Sequence, residues 1–184
     1  MSWTQRIIES TGATPRPRDI DLAPIEGELG TALPADYREL CSSLGGALYN
    51  GYLSVLQPVG DVDSLLYWLR VVRGNAGLYR PHVPYGGPGQ PGLLQWGTDQ
   101  TEGEYYWLAD AGADPDSWPV VARKDGVDPW HRYEMTMSEF TFRMLTDRDF
   151  TPFTVAGWSE RPFVIPEGVE INTAEEWNAW ANRS

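Results

Sequence analysis

The chain has 184 residues, of which 41% are apolar and 22% charged. That composition suits one packed domain, or one domain with a modest extension, and excludes a disordered chain. A chain of about this size buries roughly 70% of its unfolded surface, so it needs neither disulfides nor metal to hold a core. The balance of 26 acidic against 14 basic residues gives a net charge of −12. Such a surface repels nucleic acid and anionic membranes; it either attracts basic partners or simply keeps the protein in solution.

Cys41 is the single cysteine. It forms no intrachain disulfide, and a reducing compartment is the simplest expectation. The start, Met-Ser-Trp-Thr-Gln-Arg-Ile-Ile, lacks the basic region and apolar stretch of a signal peptide. No apolar run approaches the roughly 18 residues that cross a bilayer. A soluble, cytoplasmic protein is expected.

In chain order, Trp3 to Ser10 is a short helical candidate, with Trp3 and Ile7 on one face, and Leu22 to Leu29 is a second. The clearest helix follows Leu33. Pro34 suits its first position, Tyr37, Leu40, Cys41 and Leu44 form one stripe, and Gly45-Gly46 ends it. Tyr49 to Val59 reads as extended. Asp61 or Asp63 can cap a helix over Ser64 to Arg73, with Leu65, Leu69 and Val72 on its buried face. The Pro- and Gly-rich segment from Asn75 to Gly92 is a surface loop without a phosphate-binding pattern.

Strands follow. Leu93 to Trp96 is apolar, and Gly97 to Gly103 is a turn region. Glu104 to Ala109, Trp118 to Arg123 and Trp130 to Met135 read as strands, with a turn at Lys124 to Gly126. Short links favour an antiparallel meander. Thr136 to Glu139 fits a capping box and opens a helix carrying Met137, Phe140, Thr141 and Met144 on one face. Phe163 to Ile165 is a strand candidate. Thr173 to Glu176 is a second capping box, before a stripe of Trp177, Trp180 and Ala181.

The stretch Ala23-Pro-Ile-Glu-Gly-Glu-Leu-Gly-Thr-Ala-Leu-Pro-Ala-Asp-Tyr-Arg-Glu-Leu-Cys-Ser-Ser-Leu-Gly-Gly46 resembles the opening of SUKH (Smi–Knr-like) proteins. Gly97-Thr-Asp-Gln-Thr-Glu-Gly-Glu-Tyr-Tyr-Trp-Leu-Ala109 is similar to the family's Gly-Asp turn and aromatic strand. Trp118-Pro-Val-Val and the helix from Thr136, ending Phe-Arg-Met-Leu, make the third match. The resemblance runs over about residues 20 to 148. It departs from the family at the long loop before Leu93 and at an enlarged Asp99 to Gly103 turn.

The resemblance implies an α+β fold, a twisted antiparallel sheet flanked by helices, over residues 1–148, with 149–184 an extension packed on the same domain. It implies function by protein recognition, as in immunity proteins that bind and neutralise a cognate polymorphic toxin. A regulatory or scaffold module of the same fold is the alternative, and a carbohydrate-binding or carbohydrate-active protein a further one.

Enzyme chemistry is not expected. His82 and His131 lack metal-ligand spacing, Ser42 and Ser43 lack a nucleophile elbow, and Cys41 lies on a core stripe. Asp110, Asp114 and Asp116 miss the calcium-loop pattern, and Asp99, Glu102 and Glu104 crowd one turn region rather than forming a separated acid–base pair. No catalytic residue, cofactor or metal is assigned.

The nine Trp and nine Tyr exceed the needs of the core, and such residues are enriched at interface hot spots. Along Glu104 to Ala109, Tyr105 and Trp107 face one side while Glu104, Tyr106 and Leu108 face the other. Either both sets are covered, or one is presented beside acidic neighbours. The expected partner surface comprises Trp96, Asp99, Glu102, Glu104, Tyr105, Trp107, Asp110, Asp114 and Asp116. The partner expected there is a protein, a basic toxin domain, with no nucleic acid or membrane involved.

Overall fold

The computed structural model describes residues 1–127 and 129–182; the last two residues of the expected 149–184 extension lie outside them. Among the described residues the fold is α+β, with six α-helices and a seven-stranded antiparallel sheet. The helices are α1 (Trp3–Thr11), α2 (Ala23–Leu29), α3 (Ala35–Leu44), α4 (Leu65–Gly74), α5 (Met137–Thr146) and α6 (Ala174–Ala181). The strands are β1 (Leu48–Tyr49), β2 (Leu53–Val55), β3 (Gly92–Asp99), β4 (Glu104–Ala109), β5 (Val120–Arg123), β6 (His131–Tyr133) and β7 (Val164–Ile165). The sheet order is β6-β5-β4-β3-β2-β1-β7. Six strands thus follow one another as a meander, and β7 returns across the molecule to pair with β1.

Local chemistry accounts for most element ends. Ser2 and Gln5 exchange the two hydrogen bonds of a capping box at α1, and Thr173 and Glu176 do the same at α6. At α5 the box is half made. Thr136 accepts from the Glu139 N–H, but the Glu139 carboxylate turns to Arg143, 2.7 Å away. The cap of α4 is Ser64, which accepts from the Tyr67 N–H, and not Asp61 or Asp63. Asp63 has φ of 54°, and a capping residue needs extended backbone; Ser64 has it. Pro34 sits one position before α3 rather than inside it.

β3 runs three residues beyond the expected Trp96, to Asp99, because a bulge between Gln95 and Gly97 lets pairing with β4 resume at Gly97–Tyr105. The extra residue is Trp96. The bulge sends its indole to the same face as Tyr105 and Trp107, where it lies 5.5 Å and 6.2 Å from their rings.

That face packs under α1, α3 and α5, which also pack on one another. The opposite face carries Leu93, Tyr106 and Val121 beneath Val72 of α4 and Tyr79 of a 3-10 turn in the 76–79 segment. The tail contributes to the main core: Phe150, Phe153, Val155 and Val164 are buried in it. Phe140 of α5 is the hub, with Trp96, Tyr105, Tyr133, Phe150 and Phe153 all placing ring centroids 5.0–5.9 Å from its own. By contrast α6 has no buried residue, although Trp177 covers Gly51 so closely that a Cβ there would lie 1.6 Å from the indole.

Replacing the hub tests this core. Phe140→Ala should lower unfolding free energy by about 3–5 kcal/mol, from lost burial and a cavity that five rings cannot collapse into. Denaturant unfolding measures it, and a loss below about 1 kcal/mol would contradict the hub role.

Candidate functional site

The nine residues expected to form one partner surface do not lie together. Trp96, Tyr105 and Trp107 are 0%, 0% and 1% exposed. They are core rings, and the expectation that they meet a partner is corrected by their burial. The six residues of β4 then separate the Asp99–Glu104 group from the Asp110–Asp116 group by roughly 17 Å. Pairing of β3 with β4 places Asp99 at one end of the sheet and Asp110 beyond the other.

At the far end the carboxylates serve the backbone. Asp110 accepts from the Gly112 N–H at 2.8 Å, and Asp114 accepts from the Asp116 N–H at 3.1 Å. Asp116 accepts from the Ala35 N–H at 2.6 Å, capping α3 across 81 residues of sequence. In the same manner Asp36 accepts from the Ser138 N–H at the start of α5. Glu104 is held by Arg123 at 2.5 Å, which also donates to the Leu78 carbonyl.

Asp99 organises the near end. Its Oδ1 accepts from the Thr101 N–H, the Thr101 hydroxyl and the Gly103 N–H at 2.8–2.9 Å. Its Oδ2 accepts from the Tyr105 hydroxyl at 2.5 Å and faces the Lys124 ammonium at 3.5 Å. Gly103 is required here, since a Cβ would stand 2.1 Å from Oδ2. Burial pushes the Asp99 carboxyl up, but the Tyr105 hydroxyl and the Gly103 and Thr101 amides together outweigh it and hold it below the usual aspartate range. Burial likewise opposes charge on Lys124, yet the Tyr52 hydroxyl and Asp99 leave it above its ordinary value. Tyr52 accepts from Lys124 and shares a 2.9 Å hydrogen bond with Thr101.

This network ties three turns together: β1–β2, β3–β4 and β5–β6. Among the described residues, three of the four non-glycine positions with left-handed backbone lie in them, Asn50, Glu102 and Asp125. On top of Tyr52, edge to face at 4.9 Å, sits Trp158. It is 65% exposed. The loop bearing it is fastened by Ser159, which donates to Asn50 Oδ1 at 3.0 Å. Exposed carboxylates of Glu102, Asp125 and Glu160 belong to the same turns and loop. Of the expected residues, Asp99 builds this end from beneath and Glu102 lies on it. Trp158 was not expected, because it falls in the tail beyond residue 148. Its only sequence signal is a tryptophan between Gly157 and Ser159, outside any apolar periodicity.

Other reactive side chains are occupied. The Cys41 thiol is buried, and its pKa is pushed up to about 12, chiefly by burial. His82 packs edge-on against Trp130 and His131 against Phe153. Among the described residues no group of three or more His, Cys, Asp or Glu side chains is placed to hold a metal ion, and no helix is long and apolar enough to cross a membrane. No family model, curated protein or solved structure matches the chain.

The depressed Asp99 carboxyl has a stability consequence. Its folded pKa lies below the unfolded value of about 3.9, so its contribution is present above that value and lost as pH falls through the folded pKa. Asp36 works oppositely, because burial raises its carboxyl despite the Ser138 and Tyr37 bonds. Asp99→Asn should therefore cost about 1–3 kcal/mol near neutral pH. It should also shrink the stability lost as pH falls from about 5 to below 3, since the remaining acids still titrate. Thermal unfolding across that range reads both effects, and an unchanged acid limb would contradict the assignment.

Proposed function

We propose that the chain is a protein-binding module, an immunity-type protein that holds and neutralises a basic toxin domain, and that the end of the sheet around Trp158 is its contact surface. The carrying observation is Trp158, 65% exposed and seated on the pinned Tyr52 ring. Tryptophan is the residue most enriched among interface hot spots, and an anchor already fixed in place loses little entropy on binding. Glu102, Asp125 and Glu160 stand exposed on the turns and loop of the same end, and the net charge of −12 extends the field. A basic partner is steered towards such a surface, with an on-rate that falls as salt rises.

A second apolar patch, with Leu78 and Val83 67% and 60% exposed, fits this role less well. Arg80 lies between them, and Arg132 acts on the neighbouring His82, so the patch bears the wrong sign for a basic partner. The reading is of a binder rather than an enzyme. Its support is that Asp99, Glu104 and Asp116 are committed to hydrogen bonds and an ion pair within the fold, and that Cys41 is sealed in the core.

Coexpression with the product of the adjacent gene, followed by pull-down and growth measurement, tests the role. Binding with rescue of growth is expected. No binding, or binding without rescue, would sink the immunity reading, and stable capture of a housekeeping protein would replace it with the regulatory one. On the surface itself, Trp158→Ala should weaken binding by about 2 kcal/mol or more while leaving the fold intact. Glu102→Lys with Asp125→Lys should slow association and flatten its salt dependence. Wild-type affinity and kinetics in both variants would move the interface elsewhere.

A further inference from the structure

A cavity of about 160 Å³ opens between the C-terminal end of α1, the end of α3, β7 and α6. Leu44, Phe163, Val164, Pro166 and Trp180 give it apolar walls. Among the described residues its charged lining consists of Arg16 and Arg161, with no Asp or Glu. In a chain with 26 acidic and 14 basic residues, that sign is the reverse of the surface at large.

Both arginines are placed by the fold. Arg161 donates from Nε and Nη2 to the Ser10 and Glu9 carbonyls at 3.1 Å and 3.2 Å, which satisfies the C-terminal end of α1. That uses one edge of the guanidinium and leaves the Nη1 edge for a planar acceptor. The Arg16 backbone is fixed by its N–H bond to the Ser43 carbonyl at 2.8 Å. Its side chain makes no hydrogen bond or ion pair with any described residue. Thr14 adds an exposed hydroxyl to the rim.

We infer that this cavity is a binding site for a small organic carboxylate with a single-ring apolar body. A cavity of ~150 Å³ lined by apolar side chains takes one benzene ring, so the space fits the ring. Two arginines in one lining supply guanidinium groups, the planar, bidentate donors that a carboxylate takes. Phe163 adds an aromatic side chain to the lining, suited to contact with the ring. The site does not depend on the proposed protein partner.

Calorimetric titration of the full chain with sodium benzoate tests it, with benzyl alcohol, benzylamine and a short peptide ending in phenylalanine as comparison probes. Benzoate should bind saturably at one site, with the neutral and cationic probes at least about tenfold weaker. Arg16→Gln, at an exposed position that supports no other element, should weaken benzoate about tenfold while circular dichroism stays as in the wild type. Absence of saturable binding up to about 10 mM benzoate overturns the proposal. Benzyl alcohol binding as well as benzoate, or a folded Arg16→Gln variant of full affinity, does so too. A peptide binding about tenfold more tightly than benzoate overturns the small-molecule assignment in favour of a chain terminus.

Discussion

Phe140 gathers rings from β3, β4, β6 and the tail around one helix, and the positions of the other elements follow from burying those rings together. Five centroids lie 5.0–5.9 Å from its own, with tilted or edge-on planes, the arrangement that ring quadrupoles favour. With α5 so seated, Asp36 reaches the Ser138 amide and joins α3 to α5. Phe150 and Phe153 draw the chain after α5 back over the same core, and the Val155 N–H bonds to the Met144 carbonyl at 2.9 Å. Trp158 follows three residues after Val155, so the exposed tryptophan depends on the buried hub.

What the sequence makes legible is what local interactions decide. The stripe of Tyr37, Leu40, Cys41 and Leu44 is buried as its spacing predicts, and β4 spans Glu104–Ala109 with Tyr105 and Tyr106 in clusters on opposite faces. The meander follows from short links. What is not legible depends on distant partners. Asp116 caps a helix 81 residues away and Asp36 one 102 residues away, and no local pattern distinguishes such carboxylates from solvated ones. The aromatic surplus misleads for the same reason. Trp96 and Tyr105 are surplus only if the core is counted up to about residue 148; Phe153, from the tail, packs on Tyr105, and Phe150 and Phe153 both pack on the Phe140 ring that meets Trp96.

The acidic residues divide by what they face. Asp99, buried under the β3–β4 turn, spends its oxygens on amides and hydroxyls of its own hairpin and on Tyr105. A carboxylate with that many donors stays ionised in spite of burial, and it fixes Lys124 and, through Lys124, Tyr52. The exposed acids of the same turns are spared this work and contribute field instead. Net charge read from the sequence cannot make that division, because each buried carboxylate counts equally with each exposed one.

The 158–166 segment separates the two signs at short range. Trp158 and Glu160 point into the acidic end, while Arg161, three residues after the tryptophan, turns inward to the carbonyls that end α1. The Ser159 bonds to Asn50 Oδ1 and to the Arg161 carbonyl hold the change of direction. A cation placed at a helix C-terminus is stabilised by the partial negative charge there, so Arg161 is kept from pairing with the neighbouring acid. Among the described residues that leaves Glu160 without an ion pair, and it leaves a positive lining in the cavity. One short stretch of backbone thereby carries an exposed tryptophan beside an acid and an arginine of a basic apolar cleft within a few residues.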